Sequence, residues 1–265
     1  MEKRKKNRLQ SSWLTQQHKS RDSSRTNSAK SCSTNRNFVF EQTDVLQKRS
    51  GQQERVITKA GVHVISNAPS GIASIELDPI FISMDETKWM FNDLESQIPW
   101  QEKNIKVQGH YHRQPRLTAW FGDFSYEYSG LTLKPFQWSP LLNMLRERIL
   151  KMTGLTFNSM LANLYRNEKD SVDWHSDDES SLGTDPTICS LSFGETRNFE
   201  MRKKPEDGDD YSDVETIKIP LPSGSLLIMS GATQSDWQHR IPKEYHSRGP
   251  RINLTFRNII LSHDT

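Results

Sequence analysis

The sequence predicts a mainly β domain, an antiparallel sandwich or barrel with two flanking helices, behind a polar N-terminal tail. Three observations predict it. After Gly154, short segments rich in β-branched and aromatic residues follow one another with turn residues between them. Before Gly154, two longer segments carry apolar residues at helical spacing. Residues 1–50 are mostly Ser, Asn, Gln, Lys and Arg. Strands that follow helices, rather than alternating with them, argue for an antiparallel sheet architecture.

The tail comes first. Residues 1–50 carry too few apolar side chains to offset the entropy of ordering, so a disordered basic tail is expected there, with the folded domain over 51–265. Within residues 1–36, ten Lys or Arg stand against two acids, a local charge of +8 in a chain of net charge +2. Such a tail suits a nuclear address or a phosphate-binding arm, and equally a solubilising extension. No apolar run reaches the roughly 20 residues of a membrane span. "MEKRKKNRLQSSW" has charge but no apolar stretch, so no secretory signal is expected. Two cysteines, Cys32 and Cys189, form no CxxC pair, which fits a reducing compartment.

Structure is expected to start near "ERVITKAGVHVIS". "SMDETKWMFNDLESQIPW" opens with Ser83 and Glu86 at capping-box spacing, and Met90, Leu94 and Ile98 recur at helical spacing. "SPLLNMLRERILKMTG" has Ser139 as N-cap, Pro140 at the first helical position and Gly154 as the stop, with Leu142, Leu145, Ile149 and Met152 as its buried stripe. Between the helices, "PRLTAWFGDFSYEYSG" reads as a β-hairpin. The strands after Gly154 are "MLANLYR", "TICSLSFG", "RNFEMRK", "ETIKIPL", "GSLLIMSG" and "RINLTFRNII", with "KKPEDGDDYSD" an exposed connection. Cys189 shares a strand face with Leu191 and Phe193 and is read as buried and structural.

"DWHSDDE" carries the chemistry. Alternate residues of a strand point the same way, so His175 and Asp177 can both face a barrel interior while Ser176 faces away. A lone His-x-Asp pair is weak evidence. His239, in "DWQHRIP" past a strong strand and a glycine, supplies a third donor. Two imidazoles and one carboxylate form the facial triad of non-haem Fe(II) oxygenases, which leaves positions open for a co-substrate and dioxygen. In "RINLTFR", Ile252, Leu254 and Phe256 share one face, and Arg251, Asn253, Thr255 and Arg257 share the other. Two inward guanidiniums repel unless anions meet them, and a dicarboxylate satisfies both. An edge strand with one solvated face is the other reading. In "LANLYR", Leu161, Asn163 and Tyr165 share a face, placing an amide and a phenol for hydrogen bonds to such an anion.

Together "NLYRNEKDSVDWHSDDE", the distant His239, "SLSFG" and "RINLTFR" resemble the AlkB family of Fe(II)/2-oxoglutarate-dependent nucleic-acid dealkylases, over roughly residues 54–260. The resemblance implies a double-stranded β-helix, a jelly-roll-like pair of sheets, with a nucleotide-recognition hairpin lid over residues 120–130. It implies His175, Asp177 and His239 as Fe(2+) ligands, and Asn163, Tyr165, Arg251, Asn253 and Arg257 as the holders of 2-oxoglutarate. Trp100, Tyr126, Glu127, Tyr128, Asp178 and Glu179 are the residues expected at the substrate base, with a core position the other reading for Trp100. "GHYHRQPRL" departs from the family pattern just before the lid. The activity implied is oxidative removal of methyl groups from 1-methyladenine and 3-methylcytosine in single-stranded DNA and RNA. 2-Oxoglutarate and O2 are consumed, and formaldehyde, succinate and CO2 are released. Alkylation-damage repair, a monomer with a helicase or repair complex as partner, and residence in nucleus and cytoplasm complete the expectation. The competing readings are an oxygenase acting on a protein or small molecule, and a non-catalytic jelly-roll binding module.

Overall fold

The structure, a computed structural model, describes residues 54–107, 110–128, 131–205 and 210–260. The tail expected over residues 1–50 lies outside the described residues. The chain begins with β1 (Glu54–Val56), β2 (Gly61–Ala68), β3 (Gly71–Asp78) and α1 (Met84–Gln97). There follow β4 (Asn104–Val107), β5 (His110–Arg113), β6 (Leu117–Gly122), β7 (Tyr126–Tyr128), β8 (Leu131–Leu133) and α2 (Pro140–Thr153). Then come β9 (Ser159–Tyr165), β10 (Val172–His175), β11 (Ile188–Gly194), β12 (Arg197–Lys203) and β13 (Thr216–Leu221). The chain closes with β14 (Leu226–Gly231), α3 (Thr233–Asp236), β15 (Trp237–Ile241) and β16 (Arg251–Arg257).

Two sheets carry the domain. The larger runs β2-β3-β14-β11-β16-β9-β6 and the smaller β1-β13-β12-β15-β10. One apolar cluster lies between them, including Ile75, Leu161, Ile188, Phe199, Met201, Met229 and Trp237. A second lies between the larger sheet and the helices, including Met90, Leu94, Leu142, Leu145, Ile149, Leu191, Ile252, Leu254 and Phe256. This is the jelly-roll-like architecture with flanking helices. Each fully buried Leu, Ile or Phe contributes roughly 1.5–3 kcal/mol, so both layers are needed to hold a sheet that is apolar on its helix side and mixed on its inner side.

The helices end where their sequences say. Ser83 and Glu86 close a capping box on α1. Leu142 N–H donates to the Ser139 hydroxyl at 3.3 Å, Pro140 opens α2, and Gly154 caps it at φ 74°. The stripe of α2 stops one step short of expectation: Leu141, Leu142, Leu145 and Ile149 are buried, while Met152 in the last turn is 65% exposed.

The hairpin expected over residues 115–130 does not form as one unit. β6 pairs with β9 at the end of the larger sheet, and β7 turns away to pair with β8. The break sits at Gly122, whose φ of +147° and whose approach to Asn158 leave no room for a side chain: a Cβ there would lie 2.8 Å from the Asn158 carbonyl oxygen. Trp120, at the start of the expected lid, is a buried core residue whose indole donates to the Phe124 carbonyl.

Candidate active site

β10 and β15 pair antiparallel with His175 opposite His239, so the two imidazoles project together from the smaller sheet into the space between the sheets. Their ring centroids lie 4.2 Å apart. Strand alternation was expected to deliver Asp177 to the same face. Instead the strand stops at His175, and hydrogen bonds steer the next two residues. The Ser176 hydroxyl donates to the Trp237 carbonyl at 2.8 Å, and the Asp177 N–H donates to Gln234 Oε1 at 2.9 Å. The result is one cluster, with candidate ligand atoms of His175, Asp177 and His239 all within 4.8 Å of one another.

The protonation states suit a metal. His175 Nδ1 lies 2.7 Å from the Asp173 carbonyl oxygen. A carbonyl can only accept, so Nδ1 carries the proton and Nε2 keeps its lone pair. Burial lowers the His175 pKa, against the pull of Asp177. Burial, followed by the His175 charge, pushes His239 down to about 3. Both rings are therefore neutral near pH 7, the form that ligates. Burial alone would raise the Asp177 pKa, but Arg257 and then the two histidines outweigh it and hold it below the usual carboxylate range. Arg257 Nη2 donates to Asp177 Oδ1 at 2.7 Å. Oδ2 is buried with no hydrogen-bond partner among the described residues, a costly state unless a cation meets it.

Beside the triad, β16 runs centrally between β11 and β9, which disposes of the edge-strand reading. Arg251, Asn253, Thr255 and Arg257 line the cavity, as do Leu161, Asn163 and Tyr165 from β9. Arg251 is 1% exposed. Its Nη2 donates to the Ser192 hydroxyl at 3.0 Å, while Nε and Nη1 have no hydrogen-bond partner among the described residues. Burial lowers its pKa to about 10, with the Tyr165 phenol opposing. The Asn253 amide donates to the Ser190 hydroxyl at 2.8 Å and its oxygen accepts from Thr255 at 2.9 Å.

Sequence reasoning missed Arg116. It is 6% exposed, lines the cavity, and donates from Nε to Asn163 Oδ1 at 2.8 Å. The signal was there: in "RLTAW" it falls on the same alternation as Thr118 and Trp120. Among the described residues that line the cavity, Arg116, Arg251 and Arg257 thus stand against one carboxylate, that of Asp177. The pocket is built for a dianion.

Residues 75–257 match the model of the 2OG-Fe(II) oxygenase superfamily. The chain is 53% identical over 229 residues to human "Alpha-ketoglutarate-dependent dioxygenase alkB homolog 3", covering 85% of this chain and 80% of that one. The chain belongs to the AlkB family. The mouse protein of the same name is 52% identical over 84% of this chain and 79% of its own length. Human "DNA oxidative demethylase ALKBH2" is 38% identical over 67% of this chain and 70% of its own.

As an AlkB-family dioxygenase the chain uses Fe(2+), 2-oxoglutarate and O2. The residues present fit that set. Two neutral imidazoles and an unpaired carboxylate oxygen suit Fe(2+). The unpaired guanidinium nitrogens of Arg251 suit a carboxylate.

The residues expected at the base fare unevenly. Trp100 is not among the residues that line the cavity: half-buried, it packs against the helix-side cluster, and its indole donates to the Glu95 carbonyl at 3.0 Å. Tyr126, Glu127 and Tyr128 form β7, and their side chains lie outside the described residues. Asp178 is exposed next to the triad, 3.7 Å from Lys204 Nζ. Glu179 beside it is half-buried. Cys189 is fully buried, and burial drives its thiol pKa upward.

Proposed function

We propose that this AlkB-family enzyme demethylates 1-methyladenine and 3-methylcytosine in single-stranded DNA and RNA, repairing alkylation damage and releasing formaldehyde, succinate and CO2. The observation that carries the reading is the convergence, in one cavity, of the His175–Asp177–His239 cluster with Arg251, two of whose guanidinium nitrogens have no hydrogen-bond partner among the described residues.

In this reading His175, Asp177 and His239 hold the iron. Arg251, Tyr165, Arg257, Asn163 and Asn253 hold 2-oxoglutarate. Bound iron, with 2-oxoglutarate and O2, supplies the oxidation of an unactivated C–H bond, which no side chain can perform. The chain's own work is positioning. The Asp173 carbonyl fixes the His175 tautomer, and Arg257 holds Asp177 Oδ1 while Oδ2 keeps its lone pairs free of hydrogen bonds among the described residues. Ser192 and Ser190 hold Arg251 and Asn253. The methyl makes the base cationic, and the acids Asp178 and Glu179 next to Asp177 complement that charge. Tyr126, Glu127 and Tyr128 belong to the same proposal as residues at the base, where an aromatic ring would add roughly 1–3 kcal/mol of stacking per base.

A duplex substrate would add the cost of extruding the base, a few kcal/mol, unless an apolar wedge fills the gap. In the sequence "IKVQGHYHRQP", where such a wedge would stand, Val107 is followed by Gln108, Gly109 and His110, with no adjacent apolar pair at the tip, and the exposed Tyr111 is the other candidate for a wedge. Single strands are therefore the preferred substrate. Residence in nucleus and cytoplasm belongs to the same proposal, and cell fractionation tests it.

The decisive experiment is mass spectrometry of oligonucleotides carrying 1-methyladenine or 3-methylcytosine, alone and annealed, after incubation with the enzyme, Fe(2+), 2-oxoglutarate and air. Loss of the methyl group from the single strand, faster than from the duplex and abolished in Asp177→Ala, is expected. No loss from either lesion would overturn the reading.

A further inference from the structure

Arg197, the first residue of β12, is 0% exposed and is neither a member of the His175–Asp177–His239 cluster nor one of the residues that line the cavity. A buried guanidinium must be paired and hydrogen-bonded to be tolerated, and the partners it finds here are informative. Nη1 donates to the Asn167 carbonyl at 3.2 Å. Nη2 donates to the Asp170 carbonyl at 3.0 Å and to the Pro242 carbonyl. Nε lies 3.1 Å from Glu244 Oε1. One side chain thus grips two separate loops, residues 166–171 and residues 242–250.

Those loops are not arbitrary. The first is the continuation of β9 past Tyr165, and the second leads into β16 at Arg251. Tyr165 and Arg251 are direct partners in the β9–β16 pairing. The loops are also tied to each other, since the Glu244 N–H donates to the Glu168 carbonyl at 2.9 Å. Arg166 and Asp170 close the first loop with a two-pronged ion pair at 2.7 and 2.9 Å. Glu244 in turn binds Arg248 within the second loop. The Arg197 guanidinium carbon also lies 5.7 Å from the centroid of the Tyr165 ring, and that of Arg251 lies 5.2 Å from the same ring. One phenol ring therefore has a structural cation and a cavity cation as neighbours.

We propose that Arg197 is a positioning residue for the 2-oxoglutarate site: it pins the chain on the far side of Tyr165 and Arg251 and fixes the Tyr165 ring against which Arg251 is set. This rests on the reading of Tyr165 and Arg251 as co-substrate residues. Among the described residues Arg251 has no carboxylate partner to fix its fork, and Ser192 holds one of its nitrogens. The ring and the two loop ends supply the rest of its orientation. Lysine would keep the charge at position 197 but not the planar fork that donates to three carbonyls and pairs with Glu244.

The test is calorimetric titration of the full chain, loaded with Mn(II) in place of iron, with 2-oxoglutarate. Mn(II) affinity and Tm are measured alongside. Arg197→Lys is expected to weaken 2-oxoglutarate binding about tenfold, as loss of an outer supporting partner does, and to leave Mn(II) affinity unchanged. In a Tyr165→Phe background the same substitution should cost less, because part of its effect runs through the phenol. Glu244→Gln, a milder loosening of the same clamp, should shift 2-oxoglutarate affinity in the same direction, and it carries the test if the position-197 variants do not fold. Arg148→Met, which breaks a distant ion pair to Glu86, controls for lost stability alone. Native 2-oxoglutarate affinity in Arg197→Lys and Glu244→Gln would overturn the proposal, as would an equal loss in Arg148→Met. Arg251→Met separates the two readings. If it too binds 2-oxoglutarate normally, the co-substrate assignment fails. If it alone is impaired, only the role of Arg197 fails.

Discussion

Replacing Arg257 with methionine should invert the pH dependence that Asp177 contributes to the stability of the metal-free enzyme. The pair is buried, at 5% and 2% side-chain exposure, with Nη2 and Oδ1 2.7 Å apart. Removing one member leaves a buried carboxylate whose other oxygen already lacks a hydrogen bond, which costs roughly 3–5 kcal/mol. For a domain of this size that is roughly 6–20 °C in Tm. In the native chain the Asp177 pKa is depressed, so its contribution is present above the unfolded carboxylate value of about 3.9 and is lost as pH falls through the folded value. In Arg257→Met the largest remaining influence is burial, which raises the pKa. The penalty is then small while Asp177 is protonated and grows as pH rises. The stability difference between native chain and variant should therefore be small near pH 4 and largest near pH 8. Urea unfolding with chelator present, across that range, measures it. A difference that does not change with pH would refute the argument. Added Mn(II) should shrink the gap at pH 8, because the cation takes over the neutralising role.

Other outcomes are equally checkable. In a Cys32→Ser background, Cys189 should resist thiol reagents until the domain unfolds, since burial removes it from solvent and suppresses its thiolate; reaction in the native state would contradict its core position. Gly194→Ala should destabilise the domain by about 2 kcal/mol or more, because φ is +86° and the new Cβ would lie 2.4 Å from the Pro250 carbonyl oxygen, next to Arg251. A denaturant midpoint equal to the native one would refute that. The Glu86 carboxyl, bonded to Arg148 and Ser83, is held down to about 2. Its contribution is present above about 4.5 and lost as pH falls toward 2, so the stability gap between native chain and Arg148→Met, under about 1 kcal/mol at this exposure, should close over that interval. A gap that widens in acid would overturn the assignment.

How much of this was legible in the sequence depended on what set each side chain's direction. "RINLTFR" was legible throughout, because a central strand obeys a period of two and each residue's face follows from its neighbours. The helix caps were legible because Ser83, Ser139 and Gly154 act on their own local backbone. "HSD" comes together with His239 as expected but by another geometry: the strand ends at His175, and Asp177 is carried inward by Gln234, which lies 57 residues away and belongs to no motif. The single hairpin expected over residues 115–130 breaks at Gly122, where the close neighbour is the backbone of Asn158, contributed by a segment that no local pattern connects to the hairpin.

The same distinction explains why the buried arginines in and beside the cavity were only half visible. Arg251 and Arg257 announce themselves by alternation on one strand. Arg116 precedes its strand, and Arg197 opens another, so neither carries a motif. What unites the four is burial without a matching number of acids in contact: Arg257 is paired with Asp177 and Arg197 with Glu244, but Arg116 bonds an amide and Arg251 a hydroxyl. Such a surplus destabilises the empty fold, since each desolvated charge must be offset. It also means that a dianion entering this cavity is met by guanidiniums that have already borne their desolvation. Binding and stability are therefore coupled through the same nitrogens, and a substitution that relieves the strain on the empty protein should weaken its hold on the co-substrate.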